Sequence, residues 1–392
     1  MQINADFILI GTGAAPLIAA HHLISDGKSV ALVNPDRDYF LEDSEIGFDP
    51  FGLSAAQILR SDAETTHSIL SPFFPGPLEL AAHSPTVLRQ RGDHGQPWVR
   101  PRTRLWIRPA IDGTNRALAA EWDRIENFYL TAEEHGLHPQ LVDGLSAMRR
   151  FPGFSPKSGL LDLPFDTHAI QLPVGSDMDV ERFRLGLHEF VAERVGSDRI
   201  LRGVSSIQLS PMGEMDCHLM AGGGPCKIIG ESGILVFWTS GISNLVRRIL
   251  PERPASHSIE MPESQSWEDW QFVSRDALIP EVIGWHEGGF VLAQVDGAPG
   301  DHHALLRLLC PGNGEFKVDR LNRLFRQFLR WRSFALRNLK TRTHLIWNPE
   351  APTTVWSNGK IRVLGRADGS MVEIAYHVKS ACDQLLNAGI AS

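Results

Sequence analysis

The chain has 392 residues, 43% of them apolar, so it can bury a large core and form two or more domains. Its formal charge of -8 argues against non-specific binding to nucleic acid or to an anionic membrane surface. Four cysteines without metal-type spacing indicate reduced thiols of a cytoplasmic protein, and the sequence contains no apolar stretch long enough to predict a membrane span.

Residues 6–16 predict an apolar strand, a glycine turn and the start of a helix. Gly11 permits a tight turn, and Gly13 has no Cβ to keep a pyrophosphate away from the backbone amides at the helix start. Pro16 stands where the Gly-x-Gly-x-x-Gly motif has its third glycine, and proline suits a first helical turn. The spacing therefore predicts a dinucleotide-binding βαβ unit.

The second strand of this unit is predicted at residues 29–34, after a helix that ends at Gly27. Asn34 occupies the position where such units usually carry an Asp or Glu that binds the ribose hydroxyls. An amide can also bind these hydroxyls, and it lacks the charge that rejects a 2′-phosphate.

Two later segments also predict strands that end in turns of small residues. An amphipathic helix at 180–194 precedes short strands at 203–209, 215–220 and 226–229, and an apolar strand then runs from 233 to Gly241. Near the C-terminus a strand starting at residue 360 leads into the turn 365–371, which a helix at 371–386 follows. We expect the three strand-to-turn sites to meet at one cofactor.

The remaining segments have a different character. Residues 71–175 are rich in proline and contain one predicted helix at 114–135. Residues 255–352 alternate as strands at 281–295 and 303–309 before a long predicted helix at 318–339.

These motifs resemble the two-domain FAD enzymes of the glutathione-reductase-like class, and most closely the D-amino-acid oxidase superfamily. The resemblance rests on residues 11–34, on the helix, meander and strand that end at Gly241, and on the closing turn 365–371. It implies an α/β fold with a Rossmann-like FAD-binding domain and a discontinuous α+β substrate domain built on a mostly antiparallel sheet. Residues 1–70, 176–252 and 353–392 would form the first domain, and residues 71–175 and 253–352 the second.

By this resemblance the chain binds FAD, without a covalent link because no cysteine lies in a recognisable attachment motif. The implied contacts are Gly11, Gly13, Ala14 and Ala15 with the pyrophosphate, Asn34 with the AMP ribose, Val204 with the adenine, and Gly241 with the middle of the cofactor. Gly365, Asp368, Gly369, Ser370 and Met371 would line the ribityl chain and the pyrimidine edge of the flavin. Arg366 departs from the usual pattern of this turn.

Three residues are candidates for catalysis. Arg342 precedes the closing FAD strand, roughly where the family brings a substrate-binding arginine to the flavin, although a surface position on a strand is the alternative. His344 shares strand parity with Arg342, whereas Trp347 does not. Lys317 could promote oxygen reduction, although an ordinary solvated lysine is the alternative. The histidine pairs lack a third ligand at metal spacing, so we expect no metal.

The predicted function is oxidation of an amine or amino acid by hydride transfer to flavin N5. One alternative is a monooxygenase or cofactor-maturation flavoprotein that acts on a side chain of a partner protein. Another is a non-catalytic binding subunit that keeps the FAD fold. The first is favoured because no second Gly-x-Gly-x-x-Gly motif predicts an NAD(P)H domain.

Overall fold

Two eight-stranded sheets organise the chain in the computed structural model, here called sheet I and sheet II. The structure describes residues 1–35, 63–73, 99–101, 104–107, 127, 129–136, 138–143, 168–172, 176–178, 180–219, 224–239, 246, 264–274, 282–285, 290–296, 304–311, 337–347 and 352–390.

The strands in these ranges are, in chain order, β1 (Gln2–Ile10), β2 (Val30–Asn34), β3 (Val99–Pro101), β4 (Arg104–Ile107), β5 (Gln140–Asp143), β6 (His168–Leu172), β7 (Ser176–Met178), β8 (Ile200–Arg202), β9 (Val204–Leu209), β10 (Glu214–Leu219), β11 (Pro225–Phe237), β12 (Ser264–Ser274), β13 (Val282–Trp285), β14 (Phe290–Asp296), β15 (Ala304–Pro311), β16 (Arg337–Trp347), β17 (Thr354–Asn358) and β18 (Ile361–Leu364). The α-helices are α1 (Ala14–Ser25), α2 (Ala63–Leu70), α3 (Val180–Val195) and α4 (Met371–Ile390).

Sheet I has the order β17-β18-β11-β1-β2-β8, and β10 and β9 form an antiparallel meander on β11. Strands β18, β11, β1, β2 and β8 run parallel to one another, and β17 is antiparallel to β18. The run Ile8, Leu9 and Ile10 is fully buried, as a parallel strand covered on both faces requires. One face packs against α1, α3 and α4, and the other packs against the meander.

Strand β11 is longer than the sequence predicted. The two expected strands, at 226–229 and from 233 to the turn at Gly241, are one strand of 13 residues that ends at Phe237. Its first half pairs with β10 and its second half with β18, while β1 lies along both. The pairing of β1 with β11 shifts register between Ala5 and Phe7, opposite the point where β11 passes from β10 to β18 as its other neighbour. Such a shift is typical of a β-bulge.

The helices bury the faces that their sequences predict. Phe183, Leu187 and Val191 of α3 are at most 1% exposed, and Ile374 and Val378 of α4 are fully buried. The helix predicted at 371–386 is confirmed and extends to Ile390.

Residue His21 of α1 is buried against two aromatic rings, with ring centroids 4.2 Å from Phe190 and 5.3 Å from Phe73. Burial lowers the pKa of His21 to about 4, so its ring is a neutral core group at pH 7.

Sheet II has the order β16-β12-β15-β14-β13-β4-β6-β5, and every pairing except β13 with β4 is antiparallel. The predicted strand at 281–295 is a pair, β13 and β14. The prediction of a helix reaching residue 339 is wrong at its end, because β16 begins at Arg337 and pairs with β12 along its length. Pairing with a neighbouring strand overrides the helical spacing there. Residues 312–336 lie outside the described ranges.

The two sheets draw on interleaved segments of the chain. Sheet I uses residues 2–34, 200–237 and 354–364, and sheet II uses residues 104–172 and 264–347. This alternation matches the discontinuous arrangement expected from the sequence, and the domain boundaries themselves stay a prediction. Of the helix predicted at 114–135, residue 127 and residues 129–134 are helical, and the earlier part is outside the described ranges. Among the helices described, none is long and apolar enough to cross a membrane.

Candidate functional site

Three neighbouring parallel strands, β1, β11 and β18, end at the same edge of sheet I. Their last residues are Ile10, Phe237 and Leu364. The turns that follow are joined to one another, because the Trp238 amide donates to the Leu364 carbonyl at 2.8 Å. The sequence therefore predicted correctly that three strand-to-turn sites converge, and this carboxyl edge is where open α/β sheets bind ligands.

A second contact links the first two turns. The hydroxyl of Thr12, after β1, is hydrogen-bonded to the hydroxyl of Thr239, after β11, and both residues are buried. Sequence reasoning missed this pair, although a threonine follows each apolar strand and so marks both turns. Glycine is needed at position 11 for packing, because a Cβ there would lie 2.9 Å from the Cβ of Phe237.

The N-terminus of α1 points its first-turn amides at this edge. Gly13 is the N-cap residue with φ of 79°, a conformation that favours glycine, and no side chain caps the helix. Ala14 and Ala15 are fully buried in the first turn, and Pro16 follows them inside the helix as predicted. A glycine N-cap without a side-chain cap leaves the first-turn amides and the positive end of the helix dipole suited to an anion.

Asn34 is the last residue of β2 and is fully buried. It lies in register with Arg202, the last residue of β8. The Arg202 Nη2 donates to Nε2 of His188 on α3 at 3.2 Å. Sequence reasoning did not single out Arg202 or His188, since only the sheet register brings Arg202 to Asn34 and only the Arg202 contact brings in His188.

Val204 opens β9 two residues after Arg202 and is 2% exposed. It follows closely on the end of β8 and packs in the core on the meander face of sheet I. Gly241, the other residue expected near the middle of a cofactor, lies outside the described ranges.

The closing turn between β18 and α4 is buried from Gly365 to Met371. Asp368 Oδ1 accepts a hydrogen bond from the Gly369 amide at 2.9 Å, and Gly369 has φ of 99°. The Ser370 hydroxyl is buried and makes no hydrogen bond within the part of the chain that the structure describes. A buried hydroxyl of this kind fits a polar ligand at the turn.

Arg366, the residue that departs from the usual pattern of this turn, is held by α4. It has a positive φ of 53° and is 8% exposed. Its Nη1 donates to His377 Nε2 at 2.8 Å, and Glu373 Oε2 lies 3.1 Å from the same ring nitrogen. The other ring nitrogen lies 3.2 Å from the hydroxyl of Thr353. The guanidinium thus packs with the helix behind the turn.

Two of the three catalytic candidates lie on sheet II. Arg342 and His344 are on β16, in register with Asp269 and Trp267 of β12. The register is regular from 340 to 347, so positions 342 and 344 share one face of the strand and position 347 is on the other, as predicted. Lys317 lies outside the described ranges. A search of the described residues finds no group of three or more His, Cys, Asp or Glu placed to hold a metal ion.

Cys217 and Cys226 face each other in register across the β10–β11 hairpin, and both are free thiols. Burial raises the pKa of the Cys217 thiol to about 12, so it stays protonated at pH 7. Cys382 in α4 is also a free, buried thiol. These three cysteines are thus free thiols in the structure, and the reduced state of the protein in solution stays a prediction.

The chain is thus a mixed α/β protein, and the carboxyl edge of its parallel strands brings together a glycine turn, a helix N-terminus and a buried closing turn. No family model matches the sequence, and no curated protein matches it. Solved structures match over nearly the whole chain.

The L-alpha-glycerophosphate oxidase from Mycoplasma pneumoniae, solved with FAD bound, has 11% identity and a TM-score of 0.62, and the match covers 98% of this chain and 95% of that one. The L-proline dehydrogenase from P. horikoshii has 12% identity and a TM-score of 0.63, with 99% and 95% covered. The glycine oxidase from Geobacillus kaustophilus has 11% identity and a TM-score of 0.63, with 98% and 95% covered. At these identities the likeness shows the fold, and it confirms the predicted fold class.

Proposed function

We propose that the chain is an FAD-dependent oxidoreductase that oxidises an amine or an amino acid. The observation that supports this most is the convergence of the glycine turn, the α1 N-terminus and the closing turn at one edge of sheet I. The similar structures point the same way, since one holds FAD and two others are named as a glycine oxidase and a proline dehydrogenase. Bound FAD would supply the hydride acceptor at flavin N5.

The residues at this edge have separate tasks in the proposal. The amides after Gly13 bind the pyrophosphate, and Asn34 and Val204 contact the ribose and the adenine. The closing turn, with Gly365, Asp368 and the Ser370 hydroxyl, contacts the ribityl chain and the pyrimidine edge. Asn34 and the closing turn are buried at the carboxyl ends of parallel strands, where a ligand would partner the buried Ser370 hydroxyl.

Sheet II supplies the substrate side of the proposal. Arg342 binds the substrate carboxylate, and His344, on the same face of β16, lines the same pocket. In the same proposal, Lys317 promotes the reduction of oxygen and Gly241 contacts the middle of the cofactor. The domain boundaries at residues 70, 176, 253 and 353 and a cytoplasmic location are parts of the same proposal.

Spectroscopy of the purified full-length protein tests this function. We expect flavin absorption, release of the yellow colour by acid or heat because the link is non-covalent, and anaerobic bleaching by a small amine or amino acid. Glycine, sarcosine and proline form the first panel. A protein that stays colourless after incubation with FAD would overturn the proposal. A flavin that no small amine reduces would move the substrate to a side chain of a partner protein.

Replacing Asn34 by alanine should weaken FAD binding by about 1 to 2 kcal/mol, the usual cost of leaving a hydrogen-bond partner unpaired. The position is fully buried at the end of β2, so water cannot easily replace the amide. Fluorescence titration with FAD measures the effect. Asn4→Ala, at an exposed position of β1, is the matched control. Equal affinities of both variants would move the ribose contact elsewhere, with Asp36 as the next candidate.

A further inference from the structure

The ends of β2 and β8 bring an amide and a guanidinium side by side. Asn34 and Arg202 are register partners in a parallel pair, and each is the last residue of its strand. Partners in a parallel pair point to the same side of the sheet. That side is the helix side, because Val30 and Leu32, which alternate with the residues facing the meander, pack in the core around α1 and α3.

The hydrogen bond of Arg202 with a residue of α3 agrees with a position on the helix side of the sheet. Arg202 is exposed, and its Nη2 donates to His188 Nε2 on α3. Burial and the nearby charge of Arg202 both lower the pKa of His188 below its ordinary value. The ring is therefore neutral at pH 7 and accepts the hydrogen bond. This contact orients the guanidinium and adds no negative charge.

The end of the second strand, which usually carries a carboxylate in dinucleotide-binding units, therefore carries the neutral amide of Asn34 with the Arg202 guanidinium beside it. A carboxylate at the end of the second strand accepts hydrogen bonds from ribose hydroxyls and repels a phosphate on the 2′-oxygen. An amide does not repel it, and an arginine fork matches a phosphate in charge and in geometry.

We propose that Asn34 and Arg202 bind a phosphate on the 2′-oxygen of an adenosine ribose, so that the nucleotide site takes adenosine 2′-phosphates as well as FAD. The inference rests on the proposed function, since it uses the same ribose position. The ligand class is an adenosine 2′-phosphate, and NADP(H) is the dinucleotide form of it. Such a ligand would compete with FAD for the adenosine half of the site.

Three small nucleotides test the inference by calorimetric titration of the full-length protein dialysed free of nucleotide. Adenosine 2′,5′-bisphosphate should bind about tenfold more tightly than 5′-AMP, since it adds a charge-assisted contact. Adenosine 3′,5′-bisphosphate carries the same charge on the neighbouring oxygen and should bind like 5′-AMP. Equal binding of the two bisphosphates would show attraction by charge alone and would overturn the proposal.

Variants then assign the preference to the pair. Arg202→Gln should remove it, and Arg202→Lys should keep part of it. Arg199→Gln makes the same change of charge three residues earlier, before β8 begins, and should leave the preference intact. Asn34→Asp should reverse it, so that 5′-AMP binds more tightly. A preference that survives Arg202→Gln would overturn the assignment.

Titration with FAD separates this inference from the proposed function. FAD binding without any 2′-phosphate preference overturns the inference alone and leaves the proposed function standing. Binding of adenosine 2′,5′-bisphosphate without binding of FAD overturns the proposed function and, with it, the shared use of the site, while it keeps the contact of the pair with the 2′-phosphate. Failure of FAD and of all three nucleotides to bind overturns both.

Discussion

Gly13→Val should abolish FAD binding. Gly13 has φ of 79° at the N-cap of α1, where a β-branched residue is strained, and its missing Cβ leaves room for a pyrophosphate at the helix amides. The purified variant should be colourless and should not quench FAD fluorescence on titration. Gly13→Ala should also weaken binding, because its smaller side chain still enters the space that the phosphates need.

A glycine at the other end of the same helix provides the control. Gly27 has φ of 77°, but nothing lies within 4 Å of the position that its Cβ would take. Gly27→Val therefore adds similar backbone strain without approaching the ligand edge, and we expect it to lower stability while FAD binding persists. Loss of FAD in both variants would trace the effect to folding. A yellow Gly13→Val protein would contradict the pyrophosphate site.

The βαβ unit was predictable because each of its elements is determined by local sequence. An apolar strand, a glycine with positive φ, a buried helix and a second strand follow each other within residues 2–34, and the structure places them as expected. The convergence of β1, β11 and β18 followed from a general rule about parallel strands rather than from any contact between distant residues.

Other features depended on partners that are remote in sequence. The helix expected to reach residue 339 is replaced from Arg337 by β16, because pairing with β12 decides that segment. Likewise, β11 runs through the predicted break near Gly230 because β1 pairs with it on both sides. Arg202 became a candidate for the nucleotide site only through its register with Asn34, which no local pattern encodes.

Replacing Arg342 by lysine should lower turnover of a carboxylate-containing substrate while the flavin spectrum stays intact. Lysine keeps the charge but loses the planar fork, so we expect kcat/KM to fall by about tenfold or more. Steady-state kinetics with the best substrate of the amine panel gives the measurement. Arg362→Lys is the control, because it makes the same change on β18, away from β16. Arg362 lies before the carboxyl end of β18, and its neighbours Ile361 and Val363 pack on the meander side.

A structural role for Arg342 makes a different prediction, because Asp269 occupies the register position opposite it on β12. Cross-strand pairs of opposite charge contribute roughly 0.2 to 1 kcal/mol to stability. If Arg342 served only such a pair, Asp269→Asn and Arg342→Lys would change thermal stability alone, and KM would not move. A rise in KM confined to Arg342→Lys, with normal binding of FAD, assigns the arginine to the substrate. A fall in turnover in Arg362→Lys with none in Arg342→Lys would give that task to Arg362.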